Sequence, residues 1–322
     1  MQTPRNVLTP DALAMLQVVA QAGSFAAAAR RLGLVPSALT YRVRQIEETL
    51  DVLLFDRSAR QARLTAAGET LLSEGQRLLN DMDAIANRVK RVATGWESEF
   101  TIAVDGILEE QTVMELCEAF LQLNAPTRLR IRSETLAGTL EALTQGKADL
   151  ALGVAGNPAM SGAISGIQIQ PLGTIELVFA IAPQHPLASL PEPLSEHQIR
   201  QYRAIAVADT AQQDPMTVGL LPGQDVFTLS DMRSKIQAQV RGLGVGFLPL
   251  GKIAHLLARH QLLIRQVDRP ARVAHMGYAW RTPDDRKNSG RALQWWLQQL
   301  KSPTTRAALL VNPRRPSSTR NV

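Results

Sequence analysis

The chain holds a single cysteine, Cys117, in 322 residues, so no disulfide can close within it. Aromatics are scarce at 4%, which leaves the cores to be built from aliphatic side chains. No apolar run approaches the roughly 18 residues that mark a membrane span, and no membrane partner is expected. The opening residues, MQTPRNVLTPDAL, lack the basic-then-apolar order of a secretory signal. A lone thiol without such a signal places the expected site of action in the cytoplasm. The five histidines, His185, His197, His255, His260 and His275, show no spacing with cysteine or acids that suits zinc. No GxSxG elbow occurs. Gly242, Gly244 and Gly246 imitate a dinucleotide loop, but Phe247 stands where its third glycine belongs. The expectation is a protein without metal, cofactor or catalytic residues, not an enzyme.

The net charge of +6 is an uneven property of the chain. From Ser302 onward stand Arg306, Arg314, Arg315 and Arg320 and no acid, so the end of the chain supplies most of the excess. That stretch is rich in Pro, Ser and Thr and reads as a flexible tail over 303–322. An argument for nucleic acid must therefore come from pattern.

The pattern begins at Thr9-Pro10, a hydroxyl cap followed by a proline whose missing N–H costs nothing at the first helical position. Leu13, Leu16 and Val19 recur at helical spacing until Ala22-Gly23. Ser24 starts a second helix with Phe25, Ala28, Ala29 and Leu32 on one side, and Gly33 ends it with a tight turn. Pro36 opens a third, in which Leu39, Val43, Ile46 and Leu50 face inward while Ser37, Thr40, Tyr41 and Arg44 face out. Two short helices around a glycine turn describe a helix-turn-helix. A small bundle with a merely solvated polar face fits those residues equally well.

The run from Gly23 to Leu72, GSFAAAARRLGLVPSALTYRVRQIEETLDVLLFDRSARQARLTAAGETLL, resembles the LysR-type signature nearly end to end. The resemblance implies an α+β multidomain regulator. It has a winged helix-turn-helix over 1–65, a linker helix over 66–94 and a periplasmic-binding-protein-like α/β domain over 95–302. It also implies double-stranded DNA and a small-molecule effector as partners, a homodimer or homotetramer, RNA polymerase as a candidate partner, and residence on the nucleoid. Ser24 opens the motif, Ser37, Thr40, Tyr41 and Arg44 lie on the recognition helix, and Phe55-Asp56-Arg57 starts the wing. Side chains of these types contact base edges or phosphates in the major groove. Arg57, Arg60 and Arg63 repeat at three-residue spacing and suit the negative potential of a narrow minor groove. Beside Asp56, Arg57 is equally suited to a structural ion pair. This chain departs from the family at Val35, where a Ser or Thr cap is common, at Pro36, often glutamine, and at Tyr41, often arginine.

Leu71, Gly75, Leu78, Met82, Ile85, Val89 and Val92 then fall four and three apart, a heptad seam with one defect at Gly75. A stripe this narrow needs a partner helix, and a second copy of the chain supplies one; packing onto its own domain is the alternative.

Beyond Thr94-Gly95 the pattern alternates strand and helix, as a parallel sheet with right-handed crossovers requires. Strands are expected at Phe100–Val104, Leu129–Ser133, Asp149–Val154, Leu177–Pro183, Tyr202–Ala208, Asp225–Leu229, Gly244–Leu250 and His275–Arg281. Subdomain I takes about 97–165 and 268–302, subdomain II about 166–267, with crossings near Gly156–Gly173 and Leu262–Val273. Ligands of such sheets bind at the carboxyl ends of strands. That rule selects Asp105, Gly106, Ile107, Glu134 and Thr135 from one subdomain and Asp209, Thr210, Gly246 and Phe247 from the other. Asp105 and Glu134 would repel an anion, unless they cap helices instead. A solute-binding protein with a helical extension and no DNA role remains the alternative, and it needs an export signal.

Overall fold

The computed structural model describes residues 3–56, 62–156, 166–213, 215–282 and 290–310. Contacts divide the chain into two compact units, Met1–Ala86 and Asn87–Val322.

The first unit contains α1 (Pro4–Val7), α2 (Pro10–Ala22), α3 (Phe25–Leu32), α4 (Pro36–Leu50), the antiparallel pair β1 (Phe55–Asp56) and β2 (Arg63–Leu64), and the start of α5 (Ala66–Thr94). Its caps are those the sequence announces. Thr9 accepts from the Ala12 N–H and Ser24 from that of Ala27, while Gly23 and Gly33 stop their helices at φ 66 and 64. Leu16, Val19, Ala28, Ala29, Leu39, Val43 and Phe55 form the core, with Phe25 edge-on to Phe55 at 5.4 Å. Glu47 is buried among them because its Oε1 accepts from the backbone N–H groups of Leu54 (2.8 Å) and Phe55 (3.3 Å). That carboxylate fixes the chain as it turns from α4 into the wing.

The Leu-Thr-Ala-Ala-Gly run has a steric reason. Thr65 Oγ1 caps α5 by accepting from the Gly68 N–H and donates to the Leu53 carbonyl. A Cβ on Gly68 would stand 2.1 Å from the Leu54 oxygen, so only glycine admits this approach. Gly75 has a similar role: it is buried, and a Cβ there would come within 2.9 Å of Leu13. The apparent defect in the heptad seam is where α5 docks on α2, and Leu71 and Leu72 join that core. The assignment of Leu71 to a dimer seam is corrected accordingly.

In the second unit β3 (Glu99–Asp105) pairs in parallel with β4 (Arg128–Glu134) and β5 (Leu150–Ala155), with α6 (Glu110–Leu121) and α7 (Gly138–Thr144) as crossovers. The strand expected from Leu177 instead runs from Ile167 to Ile181 as β6. Its first half lies beside β11 (Arg272–Arg281), which pairs with β5, and its second half pairs with β9 (Gly246–Pro249) and β10 (Leu263–Ile264). β6, which begins inside the crossing expected near Gly156–Gly173, is thus continuous from its pairing with β11 to its pairing with β9 and β10. Pro171 and Gly173 obscure the alternation in sequence, and the ladder absorbs them with a register shift at Met276/Gly277.

Subdomain II adds α8 (Glu196–Arg200), β7 (Ala204–Val207), β8 (Val226–Leu229), α9 (Met232–Val240) and α10 (Leu250–Ala258). β7 lies parallel to β8, and its Ala204 makes an isolated parallel bridge to Val245, the residue before β9. The chain closes with α11 (Arg291–Lys301) and α12 (Pro303–Leu309). Glu97 caps α11 by accepting from the Ala292 and Leu293 N–H groups, in a space that only Gly290 leaves open.

The flexible tail expected from residue 303 is corrected for its first part. Ser302 caps α12, Leu309 and Leu310 are buried, and the Leu309 carbonyl accepts from the Glu109 N–H. Two leucines at the end of an otherwise polar stretch supply the apolar area that holds it. Residues 311–322 lie outside the described residues.

Candidate DNA-reading surface and effector cleft

On α4 the sequence places a polar face opposite Leu39, Val43 and Ile46, and that face meets solvent. Ser37 and Arg44 are exposed, and Tyr41 is 67% exposed. Thr40 donates to the Pro36 carbonyl (2.9 Å), which leaves the lone pairs of its hydroxyl oxygen to accept. Val35, without a side-chain cap to offer, is 64% exposed at the start of α4, an apolar group suited to a thymine methyl. Ser24 is the α3 cap, its oxygen already held by the Ala27 N–H. Arg63 is exposed on β2, whereas Arg57 and Arg60 lie outside the described residues. Farther along α5, Leu78, Met82, Ile85 and Val89 are 44–67% exposed, an apolar stripe left uncovered among the described residues. Val92 continues the same spacing.

The cleft residues do converge, but on one another. Asp105 is 4% exposed; its Oδ1 accepts from the Ile107 N–H and its Oδ2 from that of Leu136. Leu136 sits at φ 54, a conformation that disfavours a branched side chain, and the Asp105 bond helps to hold it there. Burial pushes the Asp105 carboxyl up to about 6, against the pull of those two bonds, and the Asp209 charge adds to the rise. Glu134 is also buried, and its carboxylate accepts two N–H groups of Arg132. Both carboxylates thus accept from protein donors, and Asp105 also lines the cavity beside Lys252.

Asp209 crosses from subdomain II to the start of α7, accepting from Ala137 and Gly138 N–H (both 3.2 Å) and from Ala211 and Met216 of its own loop. Thr210 Oγ1 accepts from the Thr135 N–H (2.9 Å), and Glu141 answers by accepting from Gln212 and Gln213. A Cβ on Gly138 would lie 1.8 Å from Thr210 Oγ1, so this seam closes only over glycine. A second tie runs elsewhere: Lys252 Nζ donates to the Leu108 carbonyl at 2.6 Å. Beside it opens a cavity of about 610 Å³, walled by Asp105, Gly106, Glu109, Glu110, Asp231 and His255 among others. Ile107 instead packs against the subdomain I core. Phe247 stacks edge-on against Phe179 in subdomain II, and Gly246 lies beside Lys235 and Gln239.

Two profiles cover nearly the whole chain. That of the bacterial regulatory helix-turn-helix proteins of the lysR family matches residues 10–69, and that of the LysR substrate binding domain matches 93–303. The chain belongs to the LysR family. Curated relatives agree along their full lengths. A probable HTH-type transcriptional regulator of Escherichia coli K12, YhaJ, is 38% identical over 92% of this chain and 96% of its own. YeeY of the same strain, an uncharacterized HTH-type transcriptional regulator, is 36% identical over 90% and 92%. Among solved structures, the LysR family regulator CbnR shares the fold at a TM-score of 0.57 and 17% identity, covering 91% of this chain and 98% of that one. This LysR-type protein is therefore a DNA-binding transcriptional regulator with an effector domain. Among the described residues no helix is long and apolar enough to cross a membrane, and no cluster of His, Cys, Asp and Glu could hold a metal.

Proposed function

We propose that this LysR-type regulator reads DNA through Ser37, Thr40, Tyr41 and Arg44 and anchors on phosphates or the minor groove through Arg57, Arg60 and Arg63. It acts in the cytoplasm, on the nucleoid and beside RNA polymerase, without catalytic activity of its own. Two copies pair along α5 through Leu78, Met82, Ile85, Val89 and Val92, which sets two recognition helices on neighbouring half-sites. A solved structure of full-length CbnR, which shares this fold at a TM-score of 0.56, is a complex with its target DNA and supports the DNA-reading part of this proposal. The division into 1–65, 66–94 and 95–302, the last in two subdomains, follows from this reading.

The observation that carries the regulatory part is the set of bonds between subdomains. Asp209, Thr210 and Glu141 on one seam and Lys252 on another must break or form when the subdomains move. A small molecule in the adjoining cavity biases that motion. Four of the cavity's side chains are acids, Asp105, Glu109, Glu110 and Asp231, against Arg233 and Lys252. A ligand carboxylate about 4 Å from one of them is opposed by roughly 4 kcal/mol at an effective dielectric of 20. The effector is therefore neutral, cationic or rich in hydroxyls.

Binding curves on promoter and random duplexes at two salt concentrations test the DNA assignment. Alanine at Thr40, Tyr41 or Arg44 should cost about 1–3 kcal/mol per lost base contact on the specific site alone. Alanine at Arg63 should weaken both duplexes and flatten the salt slope. Equal losses on both duplexes for the α4 variants would refute it.

A further inference from the structure

The walls of the 610 Å³ cavity beside Lys252 are divided in a way that narrows what it can hold. Helix α6 contributes Glu109 and Glu110 from its start, then Val113 and Met114. Residues three and four apart on a helix are neighbours on one face, so Glu110 lies beside Val113 and Met114. A carboxylate thus stands one helical turn, about 6 Å, from an apolar stretch of the same wall. On α9, Met232 and Ile236 supply a second apolar pair at the same spacing. Ile131 of β4 lines the cavity as well; it is 39% exposed and Met114 is 47% exposed. Apolar side chains left open on a concave wall suit a ligand with an apolar body, and methionine adapts its shape to one.

The charged groups select further, because most of them are already committed. Asp105 accepts from the Ile107 and Leu136 N–H groups. Asp231 caps α9, accepting from the Ser234 N–H and from the Ser230 and Ser234 hydroxyls. Lys252 Nζ donates to the Leu108 carbonyl. Glu109 and Glu110 differ: among the described residues their side chains make no hydrogen bond or ion pair. A neutral apolar ligand would desolvate them without compensation. A hydroxyl-rich one could reach the carboxylates but would lay its remaining O–H groups on Met114, Met232 and Ile236, where they find no partner.

We propose that the cavity takes an amine with an apolar body, its ammonium donating to Glu109 and Glu110 while an alkyl chain or aryl ring lies on Val113, Met114, Met232 and Ile236. This rests on the assignment of the cavity to the effector and selects one of the ligand classes that its acids admit. Hydrogen bonds from an ammonium to a carboxylate are charge-assisted and among the stronger ones a small ligand can make. The apolar body keeps water from the pair and adds its own burial.

The test is calorimetric titration of the full chain, without DNA, with 2-phenylethylamine, hexylamine, 2-phenylethanol, 3-phenylpropionate and glucose. The two amines should bind saturably and about tenfold or more tighter than the alcohol, with the carboxylate and the sugar weaker still. Glu109→Gln with Glu110→Gln should cut amine affinity by about tenfold or more without lowering the melting temperature of the free chain. Should that double variant fail to fold, Glu110→Gln alone supplies the comparison. Met114→Lys, at an exposed position, should abolish amine binding by setting a tethered ammonium against the same acids. Amine binding that survives Met114→Lys or the glutamine changes lies outside the cavity and overturns the proposal, as does no saturable binding of either amine. Tight binding of glucose or 3-phenylpropionate that Met114→Lys removes would overturn the amine class and keep the cavity as a ligand site. An amine that binds there yet leaves promoter affinity unchanged keeps the site and overturns only its role as the effector site.

Discussion

Single atoms decide several of the positions that matter in this regulator. Gly138 is the clearest, because the Thr210 hydroxyl occupies the place of its missing side chain. Gly138→Ala should destabilise the second unit by about 1–3 kcal/mol, as overpacking does. Thr210→Ala in the same chain should restore most of that loss, a coupling that chemical denaturation of the four variants would measure. Additive losses would mean the seam does not close as described. Asp149 offers a test by pH. It accepts from the Thr101 N–H at 2.8 Å, and burial pushes its carboxyl up to about 6 from 3.8. A carboxyl raised on folding stabilises the fold while protonated and loses that contribution as pH rises through 6. Asp149→Asn keeps an acceptor and does not titrate, so it should melt higher than the natural chain at pH 7.5 and lose the advantage near pH 5. A difference that does not change with pH would contradict the assignment. Residues of this kind were partly legible. The caps Thr9, Ser24, Gly33 and Pro36 could be read directly, because each acts on its own neighbours in the chain. Glu47 and the crossing bonds of Asp209 could not, since the backbone N–H groups they hold lie 7 or more residues away and leave no local mark.

At the scale of elements, α5 does two things along its length. Its first turns, with Leu71, Leu72 and Gly75, complete the core of the first unit; its middle carries Leu78, Met82, Ile85 and Val89 in the open. The two stretches should respond differently to mutation. Met82→Glu with Ile85→Glu should leave the melting of the single chain unchanged, since both side chains are exposed in it, yet should give monomers in sedimentation. Leu71→Ala should instead lower stability by about 2–5 kcal/mol, or less in proportion to its partial burial. A dimer that survives the double glutamate change would remove α5 as the pairing element. Periodicity found this helix but could not divide it, because four-and-three spacing is common to a dimer seam and to a core-facing stripe. The long strand β6 was half seen for a related reason. Leu177–Pro183 is apolar enough to stand out, whereas Gln168, Gln170, Pro171 and Gly173 read as a linker until β11 is known to run beside them.

Across the whole second unit, two antiparallel strands and a few bonds between subdomains hold what a ligand must rearrange. Asp209→Ala should loosen the α7 seam. Amide hydrogen exchange at Ala137 and Gly138 should then quicken by tenfold or more, while exchange in β3 and β5 stays as it was. Unchanged protection at α7 would show that the carboxylate is dispensable there. Helix α12 adds a constraint from outside the cleft. Leu310 fills the room above Gly173, at φ 145 on the crossing strand β6, and Leu309 ties the helix to the start of α6. For the gene, this makes its last stretch unequal under nonsense mutation. A stop codon at position 303 strips the cover from the crossing strand and leaves two apolar side chains' worth of surface bare. A stop codon at 311 spares both leucines and, with them, the cover over β6.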